Sequence, residues 1–321
     1  DLFVVGDPNQ SVYGWNGADP GLLTRITREF EGTRVLHLRE NHRCSPQVVR
    51  LAAAALGMHG SSAPASTRQD GRVPTLACLS TDDEEARWVA RQVWLAHRPG
   101  RRWSSIAVLA RTNAQLARVA EALGRERVPY RAAGGDVAPA SDLAQGDEAD
   151  DAPGGVGGGV GADDDDGRAV DERGMDERGM GERAGAADVG ESTNAVVLST
   201  FHRAKGLQWA AVFVIGLSDG LVPLVTARSA AARAEEQRLL YVALTRAEDE
   251  LACSWARHAD DTATAQDTAR RPSPWLAAME STVSDLRAAT SPGATTAAEH
   301  LASIRARIAT TPTSTPARVP R

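Results

Sequence analysis

Short runs of aliphatic and β-branched residues alternate with amphipathic stretches along most of this chain, and that alternation limits the folds open to it. Residues 106–109, 196–199 and 212–215 are continuously apolar or nearly so, yet too short for surface helices. They read as strands buried on both faces, as in a parallel sheet covered by helices. Residues 128–132 and 251–255 read as two further strands, and 1–7 and 35–38 as strand candidates. Between them, residues 83–97 set Ala86, Val89, Ala90, Val93 and Trp94 on one side of a helix, and 115–125 and 234–247 give two more helices. Asp19-Pro20 reads as the cap of a helix faced by Leu22, Leu23, Ile26 and Phe30. Ser45-Pro46 starts another that ends near Gly57, 58–72 is loop-like, and a last helix is expected over 274–288. Strands alternating with helices predict an α/β fold.

One stretch cannot join that core. Residues 136–194 hold 17 Asp/Glu against 4 Arg, include the run Asp163 to Asp166, and repeat Asp171-Glu172-Arg173-Gly174-Met175 at 176–180. With almost no large apolar residues they cannot offset their ordering entropy, so a disordered acidic insert is expected. The insert carries a net −13 within a chain whose total is −6, which leaves the remainder at +7. A basic body of this kind is compatible with nucleic-acid binding. After about residue 258 the chain becomes rich in Ala, Thr and Pro and reads as a tail around the 274–288 helix.

Cys44, Cys78 and Cys253 stand far apart with no CxxC pair, which argues against a disulfide framework or a zinc site and for a reducing, cytoplasmic setting. No apolar run nears the roughly 20 residues needed to span a bilayer. There is no secretory pattern at the N-terminus and no starting Met. The chain opens directly on an apolar run at 2–5 and reads as a fragment of a longer one.

Five polar strings sit at the ends of apolar runs. The first, Gly6-Asp7-Pro8-Asn9-Gln10-Ser11-Val12-Tyr13-Gly14-Trp15-Asn16, presents an amide, a hydroxyl and two aromatics; by residue type alone it is equally a turn with Tyr13 and Trp15 packed inside. The second, Asn41-His42-Arg43-Cys44-Ser45, could be a junction with a solvated arginine. In the third, Arg111-Thr112-Asn113, Thr or Asn suits a helix cap. The fourth, Thr200-Phe201-His202-Arg203-Ala204-Lys205-Gly206-Leu207-Gln208-Trp209, puts basic groups where a phosphate backbone could meet them. The fifth runs from Glu235 to Ala247 and is an amphipathic helix in which Arg246 is a favourable C-terminal cation.

In this order the strings resemble motifs III to VI of the UvrD/Rep/PcrA-type superfamily 1 ATP-dependent DNA helicases, over about half the chain at residues 1–50, 104–135 and 195–256. The resemblance implies a RecA-like parallel sheet flanked by helices. It implies Gln10 as a sensor of the ATP γ-phosphate, and Tyr13 and Trp15 as a stacking platform for bases. It implies Arg43 and Arg246 as cations acting on the γ-phosphate. Three positions depart from the family pattern: Asn16 stands where Arg is usual, His42 replaces a Tyr that stacks on adenine, and Gln208 replaces a Glu that meets the ribose. Thr112, Asn113, His202 and Lys205 would face DNA.

By the same resemblance the cofactors are ATP and Mg²⁺, and the partners are single-stranded DNA and DNA junctions. The activity is 3′ to 5′ translocation in DNA repair or replication, in the cytoplasm and without a membrane. Residues 1–33 would close a first motor domain, 34–135 with 195–257 would form a second, and the acidic insert would replace an accessory domain. No Gly-x-x-x-x-Gly-Lys-Ser/Thr occurs, so this chain alone is not expected to hydrolyse ATP. Two alternatives stay open: the helicase subunit of a helicase–nuclease complex, and a non-catalytic DNA-binding or regulatory remnant.

Overall fold

The computed structural model describes residues 3–12, 21–58, 63–133, 194–259 and 269–290. In chain order the elements are α1 (Leu22–Glu29), β1 (Glu40–Asn41), α2 (Pro46–Ala55), β2 (Ala65–Ser66), β3 (Thr75–Thr81), α3 (Asp82–Ala96) and β4 (Ile106–Ala110). They continue with α4 (Asn113–Arg125), β5 (Tyr130–Ala132), β6 (Val196–Thr200), β7 (Trp209–Val214), α5 (Ala230–Leu244), β8 (Ala247–His258) and α6 (Leu276–Thr290). Among the described residues, six strands form one sheet in the order β3-β8-β7-β4-β6-β5. Every neighbouring pair in it is parallel. The expected α/β fold, a parallel sheet flanked by helices, is therefore the fold of the protein.

The continuous apolar runs are explained by two cores. Ala107 and Leu109 of β4, Val197 of β6 and Val212 and Val214 of β7 pack on one face with α2, α5 and α6. Ile106, Val108 and Ala110, Val196 and Leu198, and Ala211 and Phe213 pack on the other with α3 and α4. Successive side chains of a strand point to opposite faces, so a strand covered on both sides must be apolar throughout. Leu276, Met279 and Val283 of α6 belong to the first core, which thus draws in chain beyond residue 258.

Local chemistry sets the helix starts. Thr112 and Gln115 form a capping box at α4, and Ser229 Oγ accepts from Ala232 N at 3.0 Å to open α5. Thr81 caps α3, whose first turn holds Asp82, Asp83, Glu84 and Glu85 against the positive end of the helix dipole.

Several expectations are corrected. Residues 3–7 are not a strand: no described strand pairs with them, and Phe3 is 88% exposed. Residues 35–38 are likewise exposed and outside any described strand; the nearest strand pairing among the described residues is the two-residue β1 with β2. Trp94 is 60% exposed rather than on the buried side of α3; Val89, Ala90, Val93 and Ala96 fill that stripe. Strand β3 went unforeseen, because Thr75 to Thr81 alternates half-buried and exposed positions at the sheet edge and lacks an apolar run. Helix α1 starts after Gly21, and the proposed Asp19-Pro20 cap lies outside the described residues. So do the acidic insert and residues 291–321.

Candidate functional site

The N-terminal ends of β7 and β8 lie side by side, joined by a hydrogen bond from Trp209 N to Arg246 O at 3.0 Å. This places Gln208 and Arg246, each one residue before its strand, at one end of the sheet. A third residue arrives from the loop before α2. Asn41 Oδ1 accepts from Arg43 N at 2.9 Å and Cys44 N at 2.8 Å, a side-chain turn that fixes the loop. Ser45 N then donates to Glu248 O at 2.7 Å and the Cys44 thiol lies 3.5 Å from Thr245 O, tying the loop to the start of β8.

Arg43 Nε donates to Gln208 Oε1 at 2.8 Å. The Arg246 guanidinium is 1% exposed and donates to three acceptors: Val242 O at 2.9 Å, Leu207 O at 3.1 Å and Thr245 Oγ1 at 3.3 Å. It thus also caps the last turn of α5, as its position predicts. Burial first, and then the like charge of Arg43, pull the Arg246 pKa down to about 10. Among the described residues no carboxylate lies within ion-pair distance of either arginine. Two neighbouring cations, one of them buried and neither neutralised, make a site that favours an anion. Tyr241 lies in the same cluster; burial chiefly, with Asp7 and Cys44, pushes its phenol up to about 12.

Gln10 sits in a single 3₁₀ turn, Pro8–Gln10, capped by Asp7. Its side chain donates to Asp7 Oδ2 at 2.8 Å, and no described hydrogen bond joins it to Arg43 or Arg246. The segment is nonetheless docked on α5, because Arg238 Nε donates to Ser11 O at 2.8 Å and Val12 is fully buried in the core. His42 is mostly exposed and its Nδ1 lies 2.7 Å from Thr67 Oγ1. Beside Gln208 a cleft of about 210 Å³ opens between Arg131, Ala133, Val197, Leu207 and Trp209.

The remaining candidates cluster at the other end of the sheet. Thr112 and Asn113 follow β4, and His202 and Lys205 follow β6, which are adjacent strands with Ala110 opposite Thr200. Phe201 N donates to Ala110 O at 3.0 Å and holds the two loops together. Thr112 is occupied as the α4 cap, accepting from Gln115 N at 3.4 Å. Lys205 is exposed and His202 half-buried. Tyr13, Trp15 and Asn16 lie outside the described residues.

Sequence reasoning missed the pairings of two arginines. Arg111 makes a bidentate pair with Glu236 of α5 through bonds of 3.0 to 3.2 Å. Arg68 Nη1 donates to Arg43 O at 2.6 Å and its Nη2 to Asp249 Oδ1 at 2.7 Å. Neither pairing has a local signal, since the partners are 125 and 181 residues apart.

Comparison with known proteins bears on the family of the chain. The UvrD-like helicase C-terminal domain matches residues 36–136 and 183–258, and the UvrD/REP helicase N-terminal domain matches residues 1–31. ATP-dependent DNA helicase UvrD2 of Mycobacterium tuberculosis is 32% identical over 307 residues, covering 80% of this chain and 43% of that protein. ATP-dependent DNA helicase PcrA of Staphylococcus epidermidis is 28% identical over 138 residues, 42% of this chain and 19% of PcrA. A solved C-terminal domain of a possible DNA helicase from Lactobacillus plantarum aligns with 76% of this chain and 96% of its own, at 13% identity and a TM-score of 0.43. The chain spans less than half the length of the UvrD2 relative. With more than half of its residues matched by the C-terminal domain of that family, the chain belongs to the UvrD-like helicases.

Proposed function

We propose that this chain is the arginine-bearing part of an ATP-dependent DNA translocase moving 3′ to 5′ along single-stranded DNA, in repair or replication. The observation that carries the reading is the pair Arg43 and Arg246, two cations at one sheet end without a carboxylate partner among the described residues. Transfer of a γ-phosphoryl group to water spreads charge over its equatorial oxygens. A planar, permanently charged guanidinium meets that charge well. Arg246 is held rigidly by its three protein acceptors, so little reorganisation is needed as charge develops. Gln208 can offer its amide to a ribose hydroxyl, His42 can stack on a base, and Gln10 can approach the terminal phosphate as two motor lobes close on the nucleotide. Mg²⁺ would accompany the nucleotide; among the described residues no cluster of His, Cys, Asp or Glu is placed to hold one.

Single-stranded DNA, alone or at junctions, would cross the opposite end of the sheet at Thr112, Asn113, His202 and Lys205, with Tyr13, Trp15 and Asn16 as further contacts. Residues 1–33 would then belong to a first motor lobe, and 34–135 with 195–257 to a second. The family matches, which change from one domain to the other between residues 31 and 36, support that division. No helix among the described residues is long and apolar enough to cross a membrane, and a cytoplasmic setting fits the reading.

The test is ATP hydrolysis by the full-length gene product with and without single-stranded DNA, beside its Arg246→Ala variant. DNA should stimulate hydrolysis, and the variant should lose about 10³-fold in kcat, the lower end of what arginine fingers contribute. Unchanged hydrolysis in the variant would remove Arg246 from the site. DNA binding without any hydrolysis by the full-length product would make the protein a non-catalytic relative.

A further inference from the structure

Among the described residues the Arg43 side chain has one acceptor, Gln208 Oε1, so its placement depends mainly on its backbone. That backbone is backed by a strap, residues 65–68. Ala65 N donates to Arg39 O and Thr67 N to Asn41 O, both at 3.0 Å, which forms the short β1–β2 ladder. Ser66 Oγ donates to Cys44 O at 2.7 Å and accepts from Arg68 N at 3.1 Å. The Arg68 guanidinium ends the strap with one arm on Arg43 O and the other on Asp249 Oδ1, three residues past Arg246. Glu248 Oε2 lies 3.9 Å from its Nη1. Two carboxylates, Glu248 and Asp249, lie around Arg68, and its rigid fork directs two donors at two acceptors with a fixed geometry that a lysine lacks.

We propose that Arg68 is a positioning residue that sets the distance between Arg43 and Arg246, so that both guanidinium groups address one phosphate. Burial is the main cause of the depressed Arg246 pKa and the like charge of Arg43 the second, so the loop that carries Arg43 is held beside a charge of the same sign. Among the described residues, Arg68, the Ser45 N to Glu248 O bond and the contact of the Cys44 thiol with Thr245 O tie the polypeptide at Arg43 to the start of β8. A displacement of about 1 Å at a reacting group is enough to cost about 10²-fold in rate.

This inference rests on the function proposed above, and its test separates the two. ATP hydrolysis is measured with the full-length product carrying Arg68→Ala, Arg68→Lys, Asp249→Asn or Arg246→Ala, together with ADP affinity and the melting temperature. Arg68→Ala should lower kcat by about 10–100-fold, with KM for ATP and affinity for ADP, which lacks the γ-phosphate, within about twofold. Lysine should restore only part of the rate, and Asp249→Asn should fall between. A general structural defect would instead weaken ADP binding along with kcat, and that result would overturn the proposal. If Arg68→Ala does not fold, Asp249→Asn decides, and a wild-type kcat in a folded Asp249→Asn protein overturns it. Wild-type kcat in Arg68→Ala with loss in Arg246→Ala overturns the positioning role alone. Wild-type kcat in Arg246→Ala overturns the functional reading and this inference with it.

Discussion

Arg111, at the C-terminal end of β4, holds Glu236 of α5 in a bidentate ion pair whose side chains are 14% and 10% exposed. Glu236 Oε2 also accepts from Leu224 N at 3.2 Å, so one carboxylate secures a strand end, a helix and a loop. Helix α5 runs from this pair to Arg246 and therefore connects the two ends of the sheet where the candidate residues lie. Removing one member leaves the other charge enclosed without its partner. Arg111→Ala should cost about 3 kcal/mol in urea denaturation, and Glu236→Gln less, because the amide still accepts a hydrogen bond. Equal, negligible losses in both would mean the pair contributes nothing.

Gly216 should not tolerate a side chain. It has a φ of +69°, and a Cβ there would sit 1.7 Å from Gln115 Nε2. Its N–H donates to the buried Glu85 at 2.9 Å, so the backbone is not free to swing away. Gln115 would have to move, breaking its bond to Thr112 N and with it the capping box of α4. Gly216→Ala should cost about 1–2 kcal/mol for the left-handed backbone and about 1 more for the cap. In a Gln115→Ala background the same change should cost less, a coupling that a double-mutant cycle reads directly.

The three thiols should differ in reactivity. Cys44 and Cys253 are buried, and burial raises the pKa of both, while Cys78 is exposed on the edge strand β3. A thiol-specific disulfide reagent should modify one cysteine quickly in the native protein and all three after unfolding. The fast phase should vanish in Cys78→Ser. Its survival there would show that the arginine cluster around Cys44 opens readily.

Tyr241 gives a pH signature. Its phenol is pushed up to about 12 in the folded protein against an ordinary value of 10.0. The unfolded chain therefore releases this proton first, and the stability that comes from keeping it is lost as pH rises from 10 towards 12. Arg246, depressed to about 10, acts in the opposite direction over the same range. Tyr241→Phe should thus remove the opposing loss and leave melting temperature less sensitive to alkali than in the wild type. A steeper alkaline decline in the variant would contradict this environment for Tyr241.

The sequence by itself determined the sheet and most of its helices. Runs such as 106–109 and 212–215 must be apolar at every position to lie between two helical layers, and that demand is visible without coordinates. The cap at Thr112 and the helix start at Ser45-Pro46 were equally legible, because both signals are local. Strand β3 was not, since an edge strand need only be half-buried. The motif order marked Arg43, Gln208 and Arg246 as members of one site, but only the tertiary structure placed the Arg43 guanidinium against Gln208 and enclosed that of Arg246 with no carboxylate partner among the described residues. It alone revealed Arg68 and the Arg111–Glu236 pair. Such contacts join residues far apart in the chain, and an arginine that braces a loop has the same local sequence as one that faces water.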